Sequence, residues 1–337
     1  MKRRLISFVS LLCLSVALFL MGCSSSNAAP SKEEEDSSAT SSSNASKEES
    51  SDDTGTADEP AGPKRDSTPQ VLVPSADGVE VQESDVALID SSNKSNGYFM
   101  IEYRGSSEKV KMTVIGPDGK QYTYLISGFS GLQVYPLTAG NGPYVITVLE
   151  VVDVALDQYA IAFSAEIDAQ LTDEFLPALY PNQYVNFNAD TNAVAKAAEV
   201  VANASTELDV VQDVYTFVIE NVSYDKVKAQ TVQYGYLPVI DETLETGMGI
   251  CFDYAALTAC MLRTQGIPTR LEVGYSGQAY HAWISTYITD IGWIDGIIEF
   301  NGEGWTLLDP TLGASNDKAG VEAYIGSGTQ YITEFIY

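Results

Sequence analysis

The stretch GICFDYAALTACMLRTQGIP, at residues 249–268, determines how the rest of the chain is organised. A cysteine, Cys251, stands near its start and is followed by a run rich in Ala, Leu and Met, which favours a helix. Gly266 and Pro268 close that run, as glycine and proline commonly do after a helix. We therefore predict a helix whose first turn contains Cys251.

A thiol in the first turn of a helix has surroundings that suit nucleophilic chemistry. The unpaired N–H groups of that turn and the helix dipole stabilise an anion, so we expect Cys251 to ionise more readily than an ordinary cysteine. The same N–H groups could bind the oxyanion that forms when a thiolate attacks a carbonyl carbon. Cys251 is therefore a candidate nucleophile.

His281 is the single histidine among the 337 residues of the chain. It lies in the apolar and aromatic run YHAWI, at residues 280–284. A core histidine bonded to a backbone carbonyl is the structural alternative. A lone histidine downstream of a candidate nucleophile favours a catalytic role instead, in which His281 accepts the proton of the Cys251 thiol.

Asp309 is the candidate for the group that orients the histidine. It follows a predicted short strand at residues 305–308, and Pro310 prevents the chain from continuing as a central strand. A carboxylate at such a strand end could accept the second imidazole N–H and fix the tautomer. An Asp-Pro turn without a catalytic role is the alternative. Three rival carboxylates occur nearby in the sequence: Asp253, Asp290 and Asp295.

Taken in order, these motifs resemble the transglutaminase-like superfamily of papain-like thiol enzymes. Four pieces carry the resemblance: GICFDYA at 249–255, GIPTR at 266–270, HAW at 281–283 and LDPT at 308–311. The resemblance covers about residues 190–315. It implies that Cys251 is the nucleophile, His281 the base and Asp309 the orienting carboxylate, with the nucleophile helix packed on an antiparallel sheet.

The resemblance leaves the second oxyanion donor open. Animal transglutaminases stabilise the oxyanion partly through a tryptophan that precedes the nucleophile, whereas all three tryptophans of this chain follow Cys251. Gln233, Tyr234 and Tyr236 are candidate substitutes. They lie in the polar and aromatic segment 224–238, which we expect to line the cleft. The missing tryptophan favours hydrolysis over cross-linking.

The first 70 residues have the composition of a targeting segment and a tether. Residues 1–23 contain a basic start, an apolar core and LMGC, which looks like a bacterial lipobox with Cys23 as the lipidated residue. An ordinary signal peptide with an incidental cysteine is the alternative. Residues 24–70 are rich in serine and acidic residues and poor in large apolar ones, so we expect a disordered tether. These features predict an extracytoplasmic lipoprotein at the bacterial cell surface, held to the membrane through its N-terminal lipid alone.

The remainder is predicted to be α+β, an N-terminal β-sandwich followed by a transglutaminase-like domain. Residues 71–170 contain six strand-like segments separated by turn signals, which is typical of a sandwich. The tyrosines of these strands could contact a cell-wall carbohydrate, although strand packing explains them as well. Residues 171–189 are predicted to be a connector and residues 190–337 the catalytic domain.

Within the catalytic domain we predict two antiparallel strands, at residues 269–275 and 280–288, after the nucleophile helix. A hairpin is predicted at residues 296–308 around Asn301 and Gly302. Residues 291–295 are expected to interrupt the sheet, with Trp293 either exposed at the cleft or buried in the core.

Composition limits the partners. The formal net charge of −28 repels nucleic acid and anionic lipid. Once residues 1–23 are set aside, one histidine and the two thiols of Cys251 and Cys260 cannot assemble a zinc ligand set, so we predict no metal or other cofactor. The predicted function is a cell-surface thiol enzyme that acts on a protein or peptide substrate. A non-catalytic surface-displayed binding protein with a vestigial triad is the alternative.

Overall fold

Two antiparallel sheets occupy the first part of the chain in the computed structural model, which describes residues 63–276, 279–295 and 331–337. In that described part their strands are, in chain order, β1 (Val81–Glu83), β2 (Ala87–Asp90), β3 (Tyr98–Tyr103), β4 (Val110–Ile115), β5 (Gln121–Leu125), β6 (Gln133–Pro136), β7 (Gly142–Asp153) and β8 (Gln158–Ala169). The strand order is β1-β2-β3-β6 in one sheet and β5-β4-β7-β8 in the other. β5 is thus an edge strand.

The alternation of side chains accounts for these strands. In β4, Val110, Met112 and Val114 are buried, whereas the residues between them are half-buried. This is the period of a strand with one face in a core. The six strands predicted from the sequence are all present. β1 and β2, which the sequence analysis did not identify, complete the first sheet.

A group of buried aromatic rings connects these sheets to the C-terminal part. The ring of Tyr124 in β5 lies 4.8 Å from that of Tyr135 in β6, measured between centroids. The same ring lies 6.0 Å from Tyr184 and 5.9 Å from Tyr337. The two parts therefore share a core, and the described residues belong to one compact unit. The domain boundaries drawn from the sequence remain predictions.

Helices follow the two sheets. Within the described residues they are α1 (Asn192–Val200), α2 (Glu207–Asn221), α3 (Lys226–Thr231), α4 (Ile240–Thr246) and α5 (Cys251–Arg263). α1, α2 and α4 all contact α5, and every residue of α5 from Asp253 onward is buried. A helix buried on all sides is central to its domain. The predicted nucleophile helix is therefore the element around which this part of the chain packs.

The C-terminal sheet lies against α5. Its described strands are β11 (Thr269–Ser276), β12 (Ala279–Ile288), β13 (Gly292–Asp295) and β14 (Tyr331–Ile336), in the order β13-β12-β11-β14 with antiparallel pairing. A short parallel pair, β9 (Ser223–Tyr224) with β10 (Met248–Gly249), joins the end of α2 to the start of α5. These elements, with the two N-terminal sheets, confirm the predicted α+β class.

One prediction about this sheet was wrong. Residues 292–295 do not interrupt the sheet, because they form β13 and Trp293 pairs with Tyr287 of β12. Trp293 is half-buried, and the Arg270 guanidinium lies 3.7 Å from its ring centroid. A cation over the ring allows a strand residue to remain only partly covered. The hairpin predicted at residues 296–308 lies outside the described residues.

Gly274 marks the place where β11 and β14 change register. A Cβ at this position would lie 2.0 Å from the backbone oxygen of Ile332, so no larger residue fits without moving β14. We expect Gly274→Ala to lower the free energy of unfolding by about 1–3 kcal/mol, the usual cost of overpacking. Denaturant unfolding of both proteins measures this change. An unchanged midpoint would mean that β14 does not pair here in solution.

Candidate active site

A cavity of about 690 Å³ contains both Cys251 and His281 in its wall. The segment from Tyr224 to Leu237, which connects β9 through α3 towards α4, supplies much of the remaining lining, as predicted. Gln233, Tyr234 and Tyr236 all lie on this segment. The structure therefore brings the predicted nucleophile, the predicted base and the three oxyanion candidates to one cavity.

Cys251 is the first residue of α5, and its side chain is partly buried. Burial raises the pKa of its thiol, because a thiolate loses solvation there. The backbone N–H groups of Ala282 and Phe252 hydrogen-bond to the sulfur and lower the pKa, whereas the charge of Asp253 raises it. The net direction is upward, which corrects the expectation that the helix start alone would make this thiol more acidic.

His281 lies on β12, where it pairs with Gly274 of β11. Its side chain is half-buried and faces the same cavity as the thiol. One of the N–H groups that bond to the Cys251 sulfur belongs to Ala282. That group is part of the peptide unit that begins at His281. β12 is thus in direct contact with the nucleophile at the position of the histidine.

The predicted third member, Asp309, lies outside the described residues and stays a prediction. Of its rivals, Asp290 follows β12 with a positive φ of 68°. The side chain of Asp295 is not described. Asp253 is fully buried and is engaged by groups other than His281, as its contacts below show.

Asp253 connects the start of α5 to α3 and to the segment that follows α3. Its carboxylate lies 2.9 Å from the Lys228 ammonium and accepts the N–H of Ile250 at 2.8 Å. It also accepts a hydrogen bond from the Tyr236 hydroxyl. The Lys228 ammonium lies 4.5 Å from the centre of the Tyr236 ring. This network of a buried carboxylate, a cation and a tyrosine fixes one wall of the cavity beside the nucleophile.

The network also distinguishes the oxyanion candidates. Tyr236 donates its hydroxyl hydrogen bond to Asp253. Burial raises the pKa of Tyr236, and this hydrogen bond raises it further. Gln233 donates from Nε2 to the Thr231 carbonyl at 2.7 Å, and the Tyr234 side chain is largely exposed. Tyr236 is consequently the least available of the three as a donor to an oxyanion.

Tyr224 is a cavity residue to which the sequence analysis gave no role. β9 pairs with β10, so Tyr224 lies opposite Gly249, two residues before Cys251. Burial raises the pKa of Tyr224, and the nearby Cys251 and Asp253 groups raise it further. Its position next to the nucleophile depends on a two-residue parallel pair that no sequence pattern indicated.

The charge of Asp253 gives a prediction for the pH dependence of the thiol. A negative neighbour disfavours the thiolate, so Asp253→Asn should lower the pKa of Cys251 and speed alkylation at pH values below the midpoint. The rate of Cys251 alkylation by iodoacetamide, followed by intact mass across pH, measures the midpoint. Asp118→Asn, in the exposed turn after β4, removes the same charge as a control. A midpoint that stays or rises in Asp253→Asn contradicts the prediction.

Cys260 occupies a different kind of site on the same helix. It is fully buried, and burial raises the pKa of its thiol strongly. Cys251 and Cys260 are both free cysteines. In the described part of the chain, no cluster of three or more His, Cys, Asp or Glu residues is arranged to hold a metal ion. Within the same part, no helix has both the length and the hydropathy that crossing a bilayer requires.

Comparison with known proteins identifies the class of this site. Residues 194–296 match the model of the transglutaminase-like superfamily, so this part of the chain is a transglutaminase-like domain. The match includes Cys251 and His281 and ends before Asp309. A comparison with curated proteins gave no match. The family match supports a thiol enzyme in general terms.

The chain is also similar to several solved structures. One is a protein from Cytophaga hutchinsonii described as a "putative cysteine protease", at 16% identity and a TM-score of 0.33, over 64% of this chain and 67% of that one. A second, a "putative protease" from Parabacteroides distasonis, has 16% identity and a TM-score of 0.27, over 54% and 36%. The third is red sea bream transglutaminase, with 14% identity and a TM-score of 0.24, over 64% and 48%.

Proposed function

We propose that this protein is an enzyme of acyl transfer in which Cys251 is the nucleophile and His281 the base. The observation that carries the proposal is the shared cavity, whose wall contains both the single histidine of the chain and the thiol at the start of α5. Because burial raises the pKa of this thiol, the reaction needs a group that removes its proton. An imidazole titrates near neutral pH and suits that task.

The proposed first step forms a thioester. Cys251 Sγ attacks the carbonyl carbon of a peptide bond or carboxamide while His281 accepts the thiol proton, and the carbonyl electron pair moves to the oxygen. When the tetrahedral intermediate collapses, the C–N bond breaks and His281 returns the proton to the departing nitrogen. Water or a primary amine then attacks the thioester, which releases an acid or a new amide and restores the thiol.

The remaining roles follow the same logic. In this proposal Asp309 accepts the second ring N–H of His281 and orients the imidazole. N–H groups at the start of α5 bind the oxyanion, with Gln233 or Tyr234 as the second donor. We favour hydrolysis over amine transfer, because no tryptophan precedes Cys251 in the sequence.

The proposed location rests on the first 70 residues. A lipobox ending at Cys23 would place the enzyme outside the cytoplasm, anchored through lipid and separated from the membrane by the tether of residues 24–70. Protein or peptide at the cell surface would then be its substrate. Metabolic labelling with a fatty-acid analogue, lost in Cys23→Ala, is the expected result for this anchor.

The reaction is tested by incubating the protein with a peptide library, with and without a primary amine, and reading the products by mass. Cleavage adds water across two fragments, deamidation converts an amide to an acid, and cross-linking adds the amine with loss of ammonia. We expect cleavage or deamidation that is absent from the Cys251→Ala protein. The wild-type protein could leave the library unchanged, and a thiol probe could fail to label Cys251. These two results together would favour the alternative, a non-catalytic binding protein at the cell surface.

A further inference from the structure

One part of the cavity wall comes from the N-terminal sheets and not from the transglutaminase-like domain. Thr123 and Leu125 of β5 and Phe129, four residues beyond Leu125, line the cavity that contains Cys251. They are half-buried, whereas Tyr124, which lies between Thr123 and Leu125, is buried. An edge strand outside residues 194–296 therefore reaches the candidate active site.

β5 contacts two other parts of the cavity wall, at Gln183 and at Gly235. The side chain of Gln183 donates to the Leu125 carbonyl at 2.9 Å. Gly235, with φ of +85°, packs so closely on Leu125 that a Cβ there would lie 2.4 Å from Leu125 Cδ1. Gly235 stands between Tyr234 and Tyr236, so Leu125 packs beside two of the oxyanion candidates.

The described residues that line the cavity include no Asp, Glu, Lys or Arg, although the chain carries a net charge of −28. Aromatic side chains dominate this lining: Phe129, Tyr184, Tyr224, Tyr234, Tyr236, Phe252, Tyr280, Phe335 and Tyr337. Tyr234 and Tyr280 are 76% and 57% exposed, so the aromatic surface continues to the outside. Large exposed aromatic groups of this kind mark binding surfaces.

We propose that β5 and the residues after it form a specificity wall, and that Leu125 and Phe129 select substrates with an uncharged apolar or aromatic side chain next to the reacting carbonyl. This inference rests on the proposed function and names its substrate class. Because the described lining contains no Asp, Glu, Lys or Arg, a charged side chain would lose water there without gaining an opposite charge from one of these residues. An apolar side chain would exchange water for aromatic contacts. The N-terminal sheets are then part of the substrate site.

The test uses N-acetyl amino-acid chloromethyl ketones, which alkylate an active-site thiol, with Phe, Leu, Asp and Lys side chains. The rate of Cys251 alkylation in the full chain is followed by intact mass and divided by the rate with iodoacetamide, which carries no side chain. We expect the Phe and Leu probes to react roughly 10- to 100-fold faster than the Asp and Lys probes, the range that one pocket contact supplies.

Variants locate the preference on the wall. Leu125→Ala should reduce the ratio of Phe to Asp rates several-fold, whereas Leu156→Ala, at an exposed apolar residue between β7 and β8, should keep the wild-type ratio. Phe129→Glu should raise the rate of the Lys probe above its wild-type value. Misfolding would expose the thiol and raise the iodoacetamide rate as well, so the gain is read from the ratio of the Lys rate to the iodoacetamide rate.

The outcomes separate this inference from the function on which it rests. Equal rates for all four probes, or ratios unchanged in both Leu125→Ala and Phe129→Glu, would overturn the specificity wall and leave the thiol enzyme standing. If neither iodoacetamide nor any ketone reacts at Cys251 in the folded protein, the proposed function falls and the inference falls with it. The predicted order of rates, altered as stated in the variants, supports both.

Discussion

Replacing Cys251 with alanine is expected to abolish turnover of any peptide that the wild-type protein converts. The same change should remove labelling of the folded protein by a thiol-directed probe. Loss of a nucleophile that acts together with its base costs on the order of 10⁶-fold in rate in enzymes that use a catalytic triad. Product formation by mass spectrometry and probe incorporation by intact mass measure the two effects separately.

Cys260→Ala is the matched control, because it removes a thiol from the same helix. Cys260 is fully buried and its pKa is raised by burial, so it should neither react with a probe in the folded protein nor take part in turnover. Cys260→Ala should therefore keep labelling and activity. Labelling that survives in Cys251→Ala and disappears in Cys260→Ala would show that the wrong thiol has been assigned.

Much of the core of the site could be predicted, because its signals are local. Glycine and proline after an Ala- and Leu-rich run place the end of α5, and the helix begins at Cys251, in agreement with the sequence. A single histidine leaves no choice of base. The family match over residues 194–296 confirms the resemblance inferred from these short motifs. The helix thus follows from composition and spacing, and its position against β11 and β12 was implied by the family resemblance.

The properties that the sequence did not reveal are tertiary. The thiol pKa is raised by burial, which comes from segments distant in sequence and outweighs the local effect of the helix start. β13 joins the sheet because Trp293 pairs with Tyr287, a contact without a local pattern. The entry of Leu125 into the cavity wall likewise depends on how β5 packs against Gly235. Each of these properties depends on contacts between residues that are far apart in the chain.

Asp253→Ala is expected to cause the largest loss of stability among the substitutions considered. The fully buried carboxylate is the partner of the Lys228 ammonium, the Tyr236 hydroxyl and the Ile250 N–H. Alanine removes the ion pair and both hydrogen bonds. Removing one member of a buried ion pair typically costs about 3–5 kcal/mol. The free energy of unfolding, measured by denaturant titration of both proteins, should fall by that amount.

Asp253→Asn separates the charge from the hydrogen bonds. Ile250 and Tyr236 donate to different carboxylate oxygens, so the one oxygen of the amide can keep only one of these two hydrogen bonds. Asparagine should therefore lose less stability than alanine while still losing the ion pair with Lys228. A wild-type unfolding midpoint in Asp253→Ala would contradict the role of this network. If alanine and asparagine cost the same, the charge alone holds Lys228 and α3 in place, and the cavity wall beside Cys251 depends on one ion pair. If asparagine retains most of the stability, the one hydrogen bond that it keeps is enough to position that wall, and the Asp253 charge chiefly affects the thiol.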